Sequence, residues 1–260
     1  MEKIHLVGAG PGDPELLTVK AQRVLAQADL VLHDDLVPPA VLSLAGSQAR
    51  VVNVGKRCGV KHITQEEINA RLIEAARRGL RVVRLKSGDP GIFGRLAEEI
   101  EAIESAGIEY EVVPGVTAAI AAAASLGVSL TDRRKSARVV IVTGHKAHGG
   151  QPDGQVDWKS LAREDATLVL YMPGHEFANL SRELLDAGLP PDFPAAIVSH
   201  ASTADQRHQF TTVADLARLP HFEAPSILLI GRALESAGEK SRSEAVSRAI
   251  DCAELMLSSD

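Results

Sequence analysis

The residues richest in chemical information form one string near the N-terminus, Gly8-Ala9-Gly10-Pro11-Gly12-Asp13-Pro14-Glu15-Leu16-Leu17-Thr18. An apolar run precedes it and a helical pattern follows, as in a nucleotide-type loop. A phosphate loop needs free backbone N–H donors at a helix start. Pro11 and Pro14 remove two of them, Asp13 puts a carboxylate where a phosphate would sit, and the third glycine of G-x-G-x-x-G is absent. Few donors and one carboxylate suit an adenosine ligand without phosphates, such as the sulfonium S-adenosylmethionine (SAM). A plain strand-to-helix turn is the alternative.

Other turns carry reactive groups. In Lys86-Ser87-Gly88-Asp89-Pro90-Gly91-Ile92-Phe93-Gly94-Arg95, the Asp89 carboxylate can accept from a ribose hydroxyl or an amino group, or simply start an Asp-Pro turn. In Val113-Pro114-Gly115-Val116-Thr117-Ala118 the small residues let a ligand approach the backbone, or merely begin a helix. Asp34 and Lys56 sit at or just beyond strand ends, as candidates for proton transfer or as surface groups. Met172, in Tyr171-Met172-Pro173-Gly174, can pack on an adenine ring. His33, His145 and His200 also end strands but show no metal spacing.

The elements that must position these groups alternate. Apolar runs at 4–7, 30–33, 50–54, 81–85, 108–113, 139–143, 167–171, 195–199 and 227–230 predict strands. Helical patterns lie between them: Leu17, Ala21, Val24, Leu25 and Ala28 share one face, a capping box pairs Thr64 with Glu67 before a stop at Gly79, and 96–106 stops at Gly107. The alternation predicts an α/β fold with mostly parallel sheets. There is no internal repeat. A polar, basic stretch at 131–137 suggests a boundary near Arg134, giving domains at 1–134 and 135–235. A helical tail at 236–260 carries Val246, Ile250, Ala253 and Leu257 on one face. The Gly/Pro-rich segment 145–157 reads as an exposed loop.

Composition narrows the classes. The chain has 260 residues, 45% hydrophobic and 24% charged, as in a globular domain or two. No basic n-region precedes an apolar h-region, and no apolar run approaches the roughly 20 residues of a membrane span. Cys58 and Cys252 form neither a disulfide framework nor a metal spacing. These features predict a cytoplasmic protein with no membrane partner. A net charge of −6 argues against nucleic acid. Basic residues nevertheless cluster as Lys56, Arg57 and Lys61; Arg81, Arg84, Lys86 and Arg95; and Arg133, Arg134, Lys135 and Arg138. Such clusters are solvated surface or arginine forks for a small polyanion.

In order and spacing, these strings resemble the SAM-dependent tetrapyrrole methylases, from about Ile4 to Arg232. The resemblance is carried by the Val7–Thr18 string, Gly55-Lys56-Arg57, Gln65-Glu66-Glu67-Ile68-Asn69, Gly88-Asp89-Pro90 with Phe93-Gly94-Arg95, Pro114-Gly115-Val116-Thr117, Val142-Thr143-Gly144-His145 and Tyr171-Met172. It implies two αβα domains with a ligand cleft between them, and a homodimer. It implies SAM contacts at Pro11, Ser87, Gly88, Asp89, Ile92, Thr117, Ala118, Met172 and Ala201. Acid/base roles fall on Asp34 and Lys56, and tetrapyrrole contacts on Arg95, Glu98 and Arg133. The implied reaction is two successive C-methylations of uroporphyrinogen III, without a metal, towards siroheme or cobalamin. Gly55-Lys56-Arg57 and Asp34-Asp35-Leu36-Val37 favour that branch over a methylase of a later corrin precursor such as precorrin-4. A non-catalytic SAM or tetrapyrrole sensor is a third reading. The chain departs from the family at Ser87, usually glycine, and at Asp35, often arginine, where Lys61 is a possible substitute anchor.

Overall fold

A computed structural model describes residues 2–55, 63–144, 156–241 and 243. In chain order its elements are β1 (Ile4–Gly8), α1 (Val19–Ala26), β2 (Leu30–His33), α2 (Pro39–Leu42), β3 (Arg50–Asn53), α3 (Gln65–Arg77), β4 (Val82–Lys86), α4 (Leu96–Ser105), β5 (Tyr110–Val113) and α5 (Ala118–Ser125). There follow β6 (Arg138–Thr143), α6 (Trp158–Leu161), β7 (Ala166–Tyr171), α7 (Phe177–Asp186), β8 (Pro194–Ser199), β9 (Arg207–Thr212) and β10 (Ser226–Ile230). The chain divides into two units. One comprises residues up to Ala121 with Ala201–Ala204, and the other comprises Ala122–His200 and the described residues from Asp205 on.

The first unit holds a five-stranded sheet in the order β3-β2-β4-β1-β5, parallel throughout. A parallel sheet is covered on both faces, so its strands read as continuous apolar runs. Side-chain alternation then sorts each strand between two cores. Ile4, Leu6, Leu30, Leu32 and Val82 meet Ile68 and Leu72 of α3 and Ile103 of α4. Val7, Val31, Val83 and Leu85 meet Ala21 and Leu25 of α1 and Val41 of α2. The predicted capping box forms: Thr64 accepts from the Glu67 N–H while the Glu67 carboxylate accepts from the Thr64 N–H. Gly79 and Gly107 adopt positive φ directly after α3 and α4, where they stop those helices.

The second unit departs from the expected parallel sheet. Its order is β6-β7-β10-β8-β9. Only β6 and β7 pair in parallel, while β10 runs antiparallel to both β7 and β8, and β9 antiparallel to β8. Of the ten strands among the described residues, β9 is the one that no apolar run marked. Its sequence, Arg-His-Gln-Phe-Thr-Thr, is that of an edge strand, where polar side chains suit the exposed position. One core packs Leu168, Leu170, Ile197, Leu228 and Ile230 against Trp158 of α6 and Phe177, Leu180 and Leu184 of α7. The boundary read near Arg134 falls inside this unit, in a turn closed by reciprocal Asp132 and Ser136 backbone hydrogen bonds. Residues 235–241 are helical. Most of the predicted tail, including Val246, Ile250, Ala253 and Leu257, lies outside the described residues.

Candidate functional site

In the first unit the turns after β1, β4 and β5 are tied together. Gly88 N–H donates to the Gly10 carbonyl at 2.7 Å, and Gly10 N–H returns to the Gly88 carbonyl at 3.2 Å. A Cβ on Gly8 would lie 2.6 Å from the Gly115 nitrogen and 2.7 Å from the Gly88 oxygen. Glycine is required here because three backbones meet. Both Asp89 oxygens accept from backbone, Oδ1 from Gly91 N–H at 2.8 Å and Oδ2 from Gly115 N–H at 3.0 Å. Gly88 also faces Thr117 and Ala118, and Ile92 N–H closes its turn on the Asp89 carbonyl at 3.2 Å. Ser87, Gly88, Asp89, Ile92, Thr117 and Ala118 therefore converge beyond the carboxyl ends of β4 and β5, the two strands that flank β1, and open α/β sheets bind ligands off such ends.

The N-terminal loop is closed to phosphate for a further reason. Asp13 caps the turn Pro14–Leu16, its carboxylate accepting from Glu15 N–H at 2.8 Å. The N–H groups of Leu16 and Leu17 donate to the Asp13 and Pro14 carbonyls. Beside the two prolines, these donors are already committed. The loop after β1 also meets the segment 201–204: Asp13 N–H donates to Ser202 Oγ at 3.4 Å. A Cβ on Gly12 would meet Thr203 at 2.5 Å and the Ala201 oxygen at 3.8 Å. Met172 belongs to the second unit, at the end of β7, exposed and with φ of 48°.

Asp34 follows β2 directly. Its Oδ1 accepts from Arg84 Nη2, and its Oδ2 from Ser87 N–H at 3.4 Å. Arg84 Nε donates to Glu99 Oε1 at 2.9 Å, and Lys86 Nζ to Glu99 Oε2 at 2.9 Å. Gln65 Nε2 donates to Glu99 Oε1 at 3.3 Å. Side-chain exposure is 4% for Arg84, 2% for Lys86 and 0% for Glu99, against 27% for Asp34. Burial opposes the Arg84 charge, but the Asp34 and Glu99 carboxylates outweigh it and raise the pKa. Burial pulls the Lys86 ammonium down, helped by Arg84 and opposed by Glu99. Arg84 and Lys86 are therefore neither solvated surface nor forks for an external polyanion. They alternate with apolar positions along β4, and their face is the one that α3 and α4 cover.

Lys56 lies outside the described residues, as do Arg57, Cys58, Lys61, His145 and Cys252. The residue before Lys56 abuts the end of β2: a Cβ on Gly55 would lie 2.1 Å from the Asp35 nitrogen. Asp35 accepts from Asn53 Nδ2 at 3.0 Å. Arg95 and Glu98 form a bidentate pair, 2.7 and 2.5 Å, with 45% and 49% of their side chains exposed. In the third basic group Arg134 pairs with Asp132, Lys135 with Glu235 and Arg138 with Asp165. Arg133 is exposed and makes no ion pair among the described residues. His33 is buried, its Nδ1 donating to the Asp34 carbonyl at 2.9 Å.

Residues 3–217 match the family of Tetrapyrrole (Corrin/Porphyrin) Methylases. The chain belongs to the tetrapyrrole methylases. It is 45% identical over 235 residues to uroporphyrinogen-III C-methyltransferase of Paracoccus denitrificans, covering 89% of this chain and 81% of that one. It is 45% identical to siroheme synthase of Gluconacetobacter diazotrophicus over 88% of its own length but spans only 49% of that protein. Among solved structures, uroporphyrin-III C-methyltransferase of Thermus thermophilus, complexed with S-adenosyl homocysteine, matches at 38% identity and a TM-score of 0.77, covering 90% of this chain and 99% of that one. A cobalt precorrin-4 methyltransferase matches at 31% identity and a TM-score of 0.79, covering 89% and 95%. As a tetrapyrrole methylase the chain is SAM-dependent.

The network through Glu99 went unread in the sequence, although two signals mark it. Arg84 and Lys86 stand two apart in an apolar strand, and Glu99 shares a helix face with Leu96 and Ile103.

Proposed function

We propose that this chain converts uroporphyrinogen III to precorrin-2 by two successive SAM-dependent C-methylations. The observation that carries the proposal is the placement of Asp34. It is a carboxylate fixed by Arg84, still partly open, beside the Ser87–Asp89 turn. The identity to uroporphyrinogen-III C-methyltransferase supports the substrate, and the S-adenosyl homocysteine complex of the Thermus thermophilus structure supports the donor. Bound SAM would supply an activated methyl on its sulfonium, which an electron-rich pyrrole carbon takes in line, with S-adenosyl homocysteine as the leaving group.

The chain's own residues then have distinct tasks. Pro11, Ser87, Gly88, Asp89, Ile92, Thr117, Ala118 and Ala201 hold the donor through closely approaching backbone, with Met172 assigned on the family pattern alone. Holding carbon, methyl and sulfur collinear is worth roughly 7–11 kcal/mol in orientation. Methyl transfer leaves the ring a positive charge, which is discharged when a proton departs. Asp34, a carboxylate paired to an arginine, is the acceptor, and Lys56 is the second acid/base group, through which that proton leaves to solvent. Arg95, Glu98 and Arg133 meet the substrate carboxylates. We place the protein in the cytoplasm as a homodimer with neither membrane nor nucleic acid as partner; sedimentation analysis tests the dimer. No helix among the described residues is long and apolar enough to cross a membrane.

Anaerobic incubation of the purified protein with uroporphyrinogen III and SAM, followed by mass spectrometry, tests the proposal. Gain of two methyl groups is expected. Methylation of precorrin-4 but not of uroporphyrinogen III would transfer the chain to the later corrin branch. Ligand binding without turnover of either would make it a sensor.

A further inference from the structure

The four charges Asp34, Arg84, Glu99 and Lys86 form one connected chain under the first sheet, and stability does not account for it. A buried ion network is often no better than apolar residues of the same size, and apolar residues surround this one on α3 and α4. The geometry is directional. Glu99 is saturated by Arg84, Lys86 and Gln65. Arg84 is committed on every side: Nε to Glu99, Nη1 to the Leu32 and Leu85 carbonyls at 3.4 and 3.3 Å, and Nη2 to Asp34. Only Asp34, at the end of the chain, has appreciable exposure. An element that is closed at every member but one fixes the member it leaves open.

We infer that Arg84, braced by Glu99 and Lys86, is a positioning residue that aims the Asp34 carboxylate for proton transfer. The inference rests on the reading of Asp34 as the proton acceptor. A planar guanidinium suits the task because Nε and Nη2 reach two carboxylates in one fixed plane, whereas a lysine ammonium is a point charge on a flexible stem. The same network binds the strand end that carries the donor turn, since Lys86 immediately precedes Ser87 and Ser87 N–H is the second donor to Asp34. Small errors in placement matter here, since a shift of about 1 Å can cost on the order of a hundredfold in rate.

The test compares Arg84→Lys, Asp34→Asn and their double variant with the wild-type protein, using uroporphyrinogen III and SAM. Arg84→Lys keeps the buried charge balance but loses the fork. It is expected to bind S-adenosyl homocysteine within about twofold of wild type by calorimetry, to leave the tetrapyrrole KM nearly unchanged, and to lower kcat by roughly tenfold to a hundredfold. Asp34→Asn is expected to lower kcat by about 10²–10⁴, and the double variant should be no slower than Asp34→Asn alone. Wild-type kcat in Arg84→Lys would overturn the inference, as would losses that multiply in the double variant. A parallel loss of S-adenosyl homocysteine affinity would also overturn it, reducing Arg84 to support for the sheet. Wild-type kcat in Asp34→Asn would instead overturn the reading of Asp34. Should Arg84→Lys fail to fold, Glu99→Gln takes its place. It keeps the shape of the brace, and its loss of kcat must likewise vanish in the Asp34→Asn background.

Discussion

The Asp89 carboxylate illustrates how one side chain can hold a site without presenting a free charge. Each of its oxygens is committed to a backbone donor, on Gly91 and on Gly115, so it staples the turn after β4 to the turn after β5. Asp89→Ala is expected to weaken S-adenosyl homocysteine binding by about tenfold or more, since two charge-assisted bonds of roughly 1.5–3 kcal/mol each disappear. Calorimetric titration reads this directly, and unchanged affinity would remove Asp89 from the site. The arginines assigned to the substrate act differently. Arg95→Ala and Arg133→Ala are expected to raise the tetrapyrrole KM by roughly tenfold to a hundredfold with little change in the KM for SAM. Added salt should weaken the wild-type interaction in the same sense, because both arginines are exposed. Steady-state kinetics with both substrates varied decides it. Equal effects on the two KM values would mean that these arginines do not read the tetrapyrrole.

At the scale of elements, the edge strand β5 carries a titratable tie. Glu111 pairs with Lys3 at 2.9 Å and with Lys20, and hydrogen bonds from Lys20 and Lys3 hold its carboxyl at about 2, below the ordinary 4.5. Asp29 beside Arg81 and Asp132 beside Arg134 are likewise held at about 2. A carboxyl with a depressed native pKa stabilises the fold above the unfolded-state value and loses that contribution as pH falls through the native one. Thermal unfolding should therefore shift to lower temperature between about pH 4.5 and pH 2. Glu111→Gln should melt below wild type at pH 7 and converge with it near pH 2. A gap of constant size would show that the ion pairs contribute nothing. The elements also show what sequence can and cannot reveal. The turns at Gly8, Ser87 and Pro114 were legible because glycine and proline state a backbone requirement locally. The capping box at Thr64 was legible for the same reason. Strand β9 was not, because an edge strand satisfies one partner only and needs no apolar run. The burial of Arg84, Lys86 and Glu99 was obscured by reading charge as surface. Their exclusion from water depends on α3 and α4 packing over β4, a contact between segments distant in sequence.

At the scale of the whole chain, each unit has its own hydrophobic core. Leu184 of α7 is fully buried in the second. Leu184→Ala is expected to cost about 2–5 kcal/mol. Native-state hydrogen exchange should register that loss at amides of β7, β8 and β10 while those of β1 and β4 keep their protection. Equal loss in both sheets would show that the units open as one. Legibility differs at this scale too. The all-parallel first sheet follows from its strand and helix alternation, whereas in the second the directions of β9 and β10 are set by pairings distant in sequence.

The charge chain under the first sheet constrains how this sequence can diverge. It contains two positive and two negative members, three of them shut off from water, so a first substitution that removes the charge of Arg84, Lys86 or Glu99 leaves the network unbalanced. Such a loss typically costs about 3–5 kcal/mol, a large fraction of the stability of a domain. A lineage changing one residue at a time is held in place, and the exits run through simultaneous replacement of partners such as Lys86 with Glu99. In a saturation library sorted for folded protein, single apolar substitutions at 84, 86 and 99 should be depleted. Apolar pairs at 86 and 99 should return as folded protein, a pattern of epistasis that an uncoupled set of surface charges would not produce.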